Sequence, residues 1–280
     1  MIKYNFGENK FMNIKQKYEN LKNIIKDYGS LAVAFSGGVD STFLLKTARD
    51  VLGDKAIAVT AQSCFFTERE LTEAKTFCEK ENITHIICRV DVLNIEKVAQ
   101  NPPNRCYACK NEILTTIKKA IEPYNIKYIA EGSHGDDDDS DRPGFKAVKE
   151  HGIKSPLKEA EITKAEIREL SRDLGLPTWD KPAFACLASR VPYGEEITIE
   201  KLGMAEQAEQ LLLNLGFAQF RVRIHGKIAR IEISPNDFAK IIAPEISRKI
   251  SAEFKQYGFT YVTLDLGGYR MGSMNEALNI

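Results

Sequence analysis

The chain has 280 residues, 43% hydrophobic and 28% charged, a globular composition that excludes a fibrous or disordered reading. Its 39 Lys and Arg balance 39 Asp and Glu, so no net field draws it to a polyanion or an anionic membrane. The opening stretch lacks the apolar core of a signal peptide, and no later run of about 18 apolar residues could span a bilayer, so the chain reads as cytoplasmic.

In chain order, an amphipathic helix is predicted around Ile14 to Tyr28, then a buried strand at LAVAF (31–35), too short and apolar for a helix. A Gly turn leads into STFLLKTARDVLG, where Phe43, Leu44, Ala48, Val51 and Leu52 keep helical spacing. AIAVTA (56–61), THIICRV (84–90) and IKYIAEG (126–132) read as further strands, with a helix from Thr67 to Glu81 between the first two. Strands alternating with helices predict an α/β fold with a doubly wound parallel sheet. After a helix in ITKAEIRELSRDLGLP, an irregular Pro- and Gly-rich stretch gives way to a helix, the alternating strands FRVRIHGKIARIEI, helices near 235–257 and a last strand YVTLDL. This predicts a first domain over 1–194 and a smaller α+β domain over 195–280.

FSGGVDST (35–42) joins the first strand to the first sheet helix. Two glycines and a helix N-terminus make an anion cradle, but the run fits neither the G-x-x-x-x-G-K-[ST] nor the G-x-G-x-x-G pattern. It closely resembles the PP-loop of ATP pyrophosphatases. That resemblance implies ATP as cofactor, phosphate contacts from Ser36, Gly37, Gly38, Val39, Asp40 and Ser41, and Mg²⁺ on Asp40. Gln62, in TAQS at the carboxyl edge of the second strand, is expected on the adenosine side. The run Asp136 to Asp139 reads as a solvated loop, and Arg142 on a Pro-Gly turn as a clamp for phosphate or carboxylate.

Six cysteines, at 64, 78, 88, 106, 109 and 186, are expected as thiols in a reducing compartment. Cys78 and Cys88 lie in apolar stretches and are expected in the core. Cys106 and Cys109, in NRCYACK, follow a Pro-Pro turn and precede an amphipathic helix. They leave three readings open: a redox pair, half of a zinc site, or, with Cys186, three ligands of a [4Fe–4S] cluster with one open iron.

CLASRVPYG, FRVRIHGKIARIEI and YVTLDLGGYRMGSMN, together with SGGVDS and DRPGFKA, resemble the LarE family from about Leu31 to Asn275. The resemblance implies an ATP-dependent sulfur transferase that adenylates the carboxylates of pyridinium-3,5-biscarboxylic acid mononucleotide and exchanges oxygen for sulfur. It implies a hexamer. One branch of the family sacrifices a cysteine five residues before the Arg of SR-x-PYG; here that position is Ala185, with Cys186 beside it. The other branch, which this chain fits, has three cysteines matching Cys106, Cys109 and Cys186 and is thought to hold a [4Fe–4S] cluster. Asp40, Arg190 and the three cysteines are the implied catalytic residues; Ser189, Arg190, Arg221 and Arg223 are expected to bind the substrate. From pattern alone, Arg221 and Arg223 are equally well surface arginines on one strand face, and Glu232 and Asp265 could bind a metal or an interface. Alternatives are sacrificial transfer from Cys186, a cluster-dependent tRNA thiolase, and a nucleotide-binding regulatory protein with a structural zinc and no turnover.

Overall fold

The computed structural model describes residues 12–137, 143–182 and 185–278. Asn13 and Gln16 form a reciprocal capping box that starts α1 (Ile14–Tyr28), which buries Leu21 and Ile25. The main sheet joins β1 (Leu31–Ala34), β2 (Ala56–Gln62), β3 (His85–Arg89) and β4 (Tyr128–Ala130), all parallel, in the order β3-β2-β1-β4. Between and after them come α2 (Val39–Leu52), α3 (Glu68–Lys80), a single turn α4 (Glu96–Ala99), α5 (Arg105–Ile121), α6 (Pro143–Glu150), a short α7 (Pro156–Glu159) and α8 (Lys164–Asp173).

Alternation within each strand explains the near-continuous apolar runs. Leu31, Val33, Ala56 and Ala58 face a layer holding Leu21, Phe43, Phe77 and Ile167, whereas Ala32, Ile57 and Val59 face Leu114, Ile117 and Val148. Both faces are covered, as a parallel sheet requires. The fourth strand is shorter than its apolar run predicts, and its far edge is met by a single parallel bridge between Ala130 and Lys154, with the Glu131 amide donating to the Lys154 carbonyl at 2.9 Å. Cys78 is core, as expected; Cys88 is half-buried, and its thiol lies 3.7 Å from the Thr60 carbonyl.

The chain continues through α9 (Ile199–Asn214), β5 (Phe220–His225), β6 (Ile228–Ile233), α10 (Phe238–Ile242), α11 (Pro244–Gln256) and β7 (Tyr261–Leu264). β5 and β6 form an antiparallel hairpin whose turn includes Gly226 at φ 57°; β7 then pairs parallel to β6 after the helical crossover. Val222, Ile224, Ala229, Ile231 and Ile233 point into a core with Leu212, Ile250 and Phe254. That core does not stop at the second sheet. Phe65, Val90, Val92 and Val98, from the first 194 residues, belong to the same cluster.

Candidate active site

Ser36 and Gly37 leave β1 at the carboxyl edge of the sheet. Gly37 adopts φ 67°, the left-handed region that favours glycine, and Gly38 is the N-cap residue of α2. Ser36 Oγ and Ser41 Oγ stand 3.0 Å apart, and the Gly38 amide approaches Ser36 Oγ at 3.4 Å. The loop therefore presents hydroxyls and amides at a helix N-terminus, the donor set that a phosphate needs. Gly132, just past β4, is the counterpart: a Cβ there would lie 3.1 Å from both Asp40 Cβ and the Ser41 amide. Asp40 pairs with Lys164 Nζ at 2.6 Å, and Lys181 Nζ donates to the Gly37 carbonyl at 2.9 Å. Gln62 ends β2 and lines a separate cleft with Arg89 and Glu206.

The Cys-x-x-Cys segment lies within α5, from its second to its fifth residue, rather than ahead of the helix. Asn101, at φ 54°, donates its side-chain amide to the Val191 and Pro192 carbonyls at 3.1 and 2.7 Å. It also accepts from Arg105 Nη1 at 2.6 Å; the same Nη1 donates to the Ala188 carbonyl at 3.1 Å, and Arg105 Nη2 approaches Cys106 Sγ at 3.6 Å. These contacts tie the start of α5 to the segment carrying Cys186. Burial works against the Arg105 charge, but Cys186 and Cys106 outweigh it and hold its pKa above the ordinary arginine value. Cys109 feels burial first, then Cys186 and Cys106, and its thiol is pushed up to about 12. Cys106 and Cys186 are exposed and Cys109 half-buried. Among the described residues, no three His, Cys, Asp or Glu side chains are arranged to hold a single metal ion.

Arg190 is 1% exposed. Its Nε and Nη2 pair with Glu209 at 2.8 and 2.7 Å, and its Nη1 donates to the Ala185 and Cys186 carbonyls and to Ser189 Oγ at 2.6, 3.1 and 2.9 Å. It shapes the Cys186 segment from beneath. Next to that segment opens a cleft of about 170 Å³ lined by Arg105, Arg221, Arg223, Arg270, Ser189 and Tyr269. Arg221 and Arg223 are each 5% exposed, so neither is a surface arginine. Arg221 stacks over the Tyr269 ring at 5.2 Å, and burial followed by the neighbouring Arg190 lowers its pKa. Arg223 pairs with Glu232 through two nitrogens at 3.1 and 3.0 Å and donates to the Ser189 carbonyl at 2.8 Å. Glu232 also receives Arg230 and Ser273 Oγ, and Asp265 receives Arg230 and Arg270. Both carboxylates are thus matched by arginines within the chain.

Arg142, Asp138 and Asp139 lie outside the described residues. Asp136 is no idle loop carboxylate: it accepts the Lys164 amide at 2.7 Å. Asn101, Arg105, Lys164, Lys181 and Glu209 escape sequence reasoning; the Asn-Pro-Pro turn before Arg105 is the one local hint.

A parallel α/β sheet whose first strand passes through S-G-G-V-D-S into a helix N-terminus defines the PP-loop ATP pyrophosphatase class. No family model matches the chain. It is 42% identical over 265 residues to an uncharacterized protein of Synechocystis, covering 95% of this chain and 99% of that one. It is 36% identical over 255 residues to the pyridinium-3,5-bisthiocarboxylic acid mononucleotide synthase of Lactiplantibacillus plantarum, covering 91% and 92%. A more distant similarity, 24% over 278 residues with 93% and 82% coverage, reaches one of the subunits of the glutamine-hydrolyzing GMP synthase of Thermoplasma volcanium. The chain belongs to the LarE family.

Proposed function

We propose that the protein is an ATP-dependent sulfur-inserting enzyme whose substrate is pyridinium-3,5-biscarboxylic acid mononucleotide. The observation that carries this reading is the arginine-lined cleft beside the Cys186 segment, in a chain that shares most of its length with a synthase of the bisthiocarboxylic nucleotide. A mononucleotide offers such a cleft a phosphate, and Arg221 and Arg223 bring buried guanidinium groups to it with Ser189. The loop from Ser36 to Ser41 would hold the polyphosphate of ATP, with Asp40 taking Mg²⁺ and Gln62 on the adenosine side.

In the first step a substrate carboxylate oxygen bonds to the α-phosphorus of ATP and pyrophosphate leaves. In the second, sulfide bonds to the acyl carbon, the C–O bond to the adenylate breaks, and AMP departs. The protein's part is to position the reactants and to offer fixed donors to the charge that develops at phosphorus and at the acyl oxygen.

The chemistry of the donor set supports an iron–sulfur cluster: three sulfurs come from two segments strapped together by Asn101 and Arg105, with the charges of the other two bearing on Cys109. Cys106, Cys109 and Cys186 would hold a [4Fe–4S] cluster, which when bound supplies an open iron for exogenous sulfide. Arg105 would offset the negative charge of such a thiolate set, and Arg190 would fix the backbone of Cys186. An assembly of six copies, cytoplasmic in location, completes the proposal; exposed Ile242, Tyr261, Leu266 and Met271 supply apolar surface for subunits to cover. Among the described residues no helix is long and apolar enough to cross a membrane.

The test measures iron and acid-labile sulfide in protein purified without oxygen, wild type against Cys106→Ala, alongside pyrophosphate release with the biscarboxylic nucleotide. We expect about four irons with matching sulfide, lost in the variant, and substrate-dependent pyrophosphate. Metal-free wild type that still forms thiocarboxylate once, with the elements of one H₂S lost from Cys186, would replace the cluster by the sacrificial route. That route has the exposure of Cys186 in its favour.

A further inference from the structure

Asp40, the carboxylate expected to take Mg²⁺, already has a cation. Both of its oxygens lie 2.6 Å from Lys164 Nζ, and the two side chains keep 26% and 29% exposure, so the pair is reachable from solvent. The residues stand 124 positions apart, in the first turns of α2 and α8.

The surroundings hold the backbones and leave one part able to move. Asp40 is backed by Gly132, where even a Cβ would come within 3.1 Å. The Lys164 amide is fixed by Asp136 Oδ2 at 2.7 Å, and Thr163 caps α8 through the Glu166 amide. The flexible four-carbon stem of Lys164 carries a compact charge that can swing without disturbing either helix. A divalent cation on Asp40 and an ammonium in its present place would be like charges near contact distance, where repulsion in a part-buried site is strong and weakly screened. One must leave. The polyphosphate entering the loop offers the released ammonium a new negative partner, while a second lysine at the loop, Lys181, is already engaged by the Gly37 carbonyl and by Glu73 at 2.5 Å.

We propose, taking 36–42 as the ATP loop, that Lys164 is an exchangeable counter-ion: it neutralises Asp40 and keeps divalent metal off the nucleotide-free protein, then moves onto the phosphates as the incoming metal takes Asp40. Metal therefore enters together with nucleotide rather than ahead of it. Lys164 is in this sense a positioning residue for the metal and a binding residue for the phosphates.

The experiment titrates Mn²⁺ alone, followed by its paramagnetic resonance signal, and then an ATP analogue with a non-hydrolysable α–β bond in the presence of Mg²⁺, followed by calorimetry. The proteins are wild type, Lys164→Met and Lys164→Arg. Lys164→Met is expected to bind Mn²⁺ alone about tenfold more tightly and the nucleotide about tenfold more weakly, and Lys164→Arg to stay near wild type in both. Misfolding would weaken both, so the opposite signs distinguish exchange from damage. Unchanged or weaker Mn²⁺ binding in Lys164→Met, with wild type binding nucleotide, overturns the exchange and leaves the loop assignment standing. Wild type that binds no nucleotide overturns the loop assignment and the exchange together.

Discussion

Arg190 and Glu209 show how much one side-chain pair decides. Their side chains are 2% and 10% exposed, and every guanidinium nitrogen of Arg190 is used, two on Glu209 and the third on the Cys186 segment. An exposed pair such as Lys46–Asp50 contributes about 0–1 kcal/mol, whereas removing one partner of a buried pair strands a charge and costs about 3–5 kcal/mol. Arg190→Met is therefore expected to lower the unfolding free energy by about 3–5 kcal/mol in a urea titration. Arg190→Lys should rescue little, because an ammonium cannot reproduce the two-pronged contact. A loss below about 1 kcal/mol in Arg190→Met would show that Glu209 is adequately served by the Val222 amide, which it already accepts at 3.0 Å.

Elements meet at the nucleotide loop with little tolerance. α2 starts at Gly38 and the segment after β4 passes close enough for Gly132 to matter, since a Cβ there would press on Asp40 and Ser41 at once. Gly132→Ala is expected to push the start of α2 aside, at a cost of about 1–3 kcal/mol, and to raise the ATP Kd with it. Equilibrium binding that matches wild type would mean the loop relaxes freely. On the second sheet, register does comparable work. Arg221 lies opposite Glu232 and Arg223 opposite Arg230, so one face of the β5–β6 hairpin collects the ionic network while Val222 and Ile231 turn to the core. A slip of one residue would exchange the two faces.

At the scale of the whole molecule, the two sheets share an interior. Phe65, Val90, Val92 and Val98 pack into the cluster that also holds Leu212, Ile231 and Phe254, and Asn101 and Arg105 bind the carbonyls of 188–192. The halves are expected to unfold together, in a single calorimetric transition. Two resolved transitions, one retained by a chain cut near residue 194, would overturn this.

The first half of the fold is legible because a parallel strand buried on both faces must be a short apolar run. LAVAF and AIAVTA are such runs, and the glycines of SGGVDS mark the turn between strand and helix. The alternation of Arg221 and Arg223 with Val222 and Ile224 likewise tells their common face, though not that it is buried. Cys106 and Cys109 are visible as a motif; their place within α5 is not, because the helix starts directly after the Asn-Pro-Pro turn. By itself, then, the sequence determined the α/β class, the loop and the identity of the thiols, all properties carried by neighbouring residues. The folded chain decided that Lys164 faces Asp40, that Arg105 reaches Ala188, and that Arg190 serves Glu209 and the Cys186 carbonyl. Those pairings depend on where helices and loops cross in space, and a charge carries no local periodicity that names its distant partner.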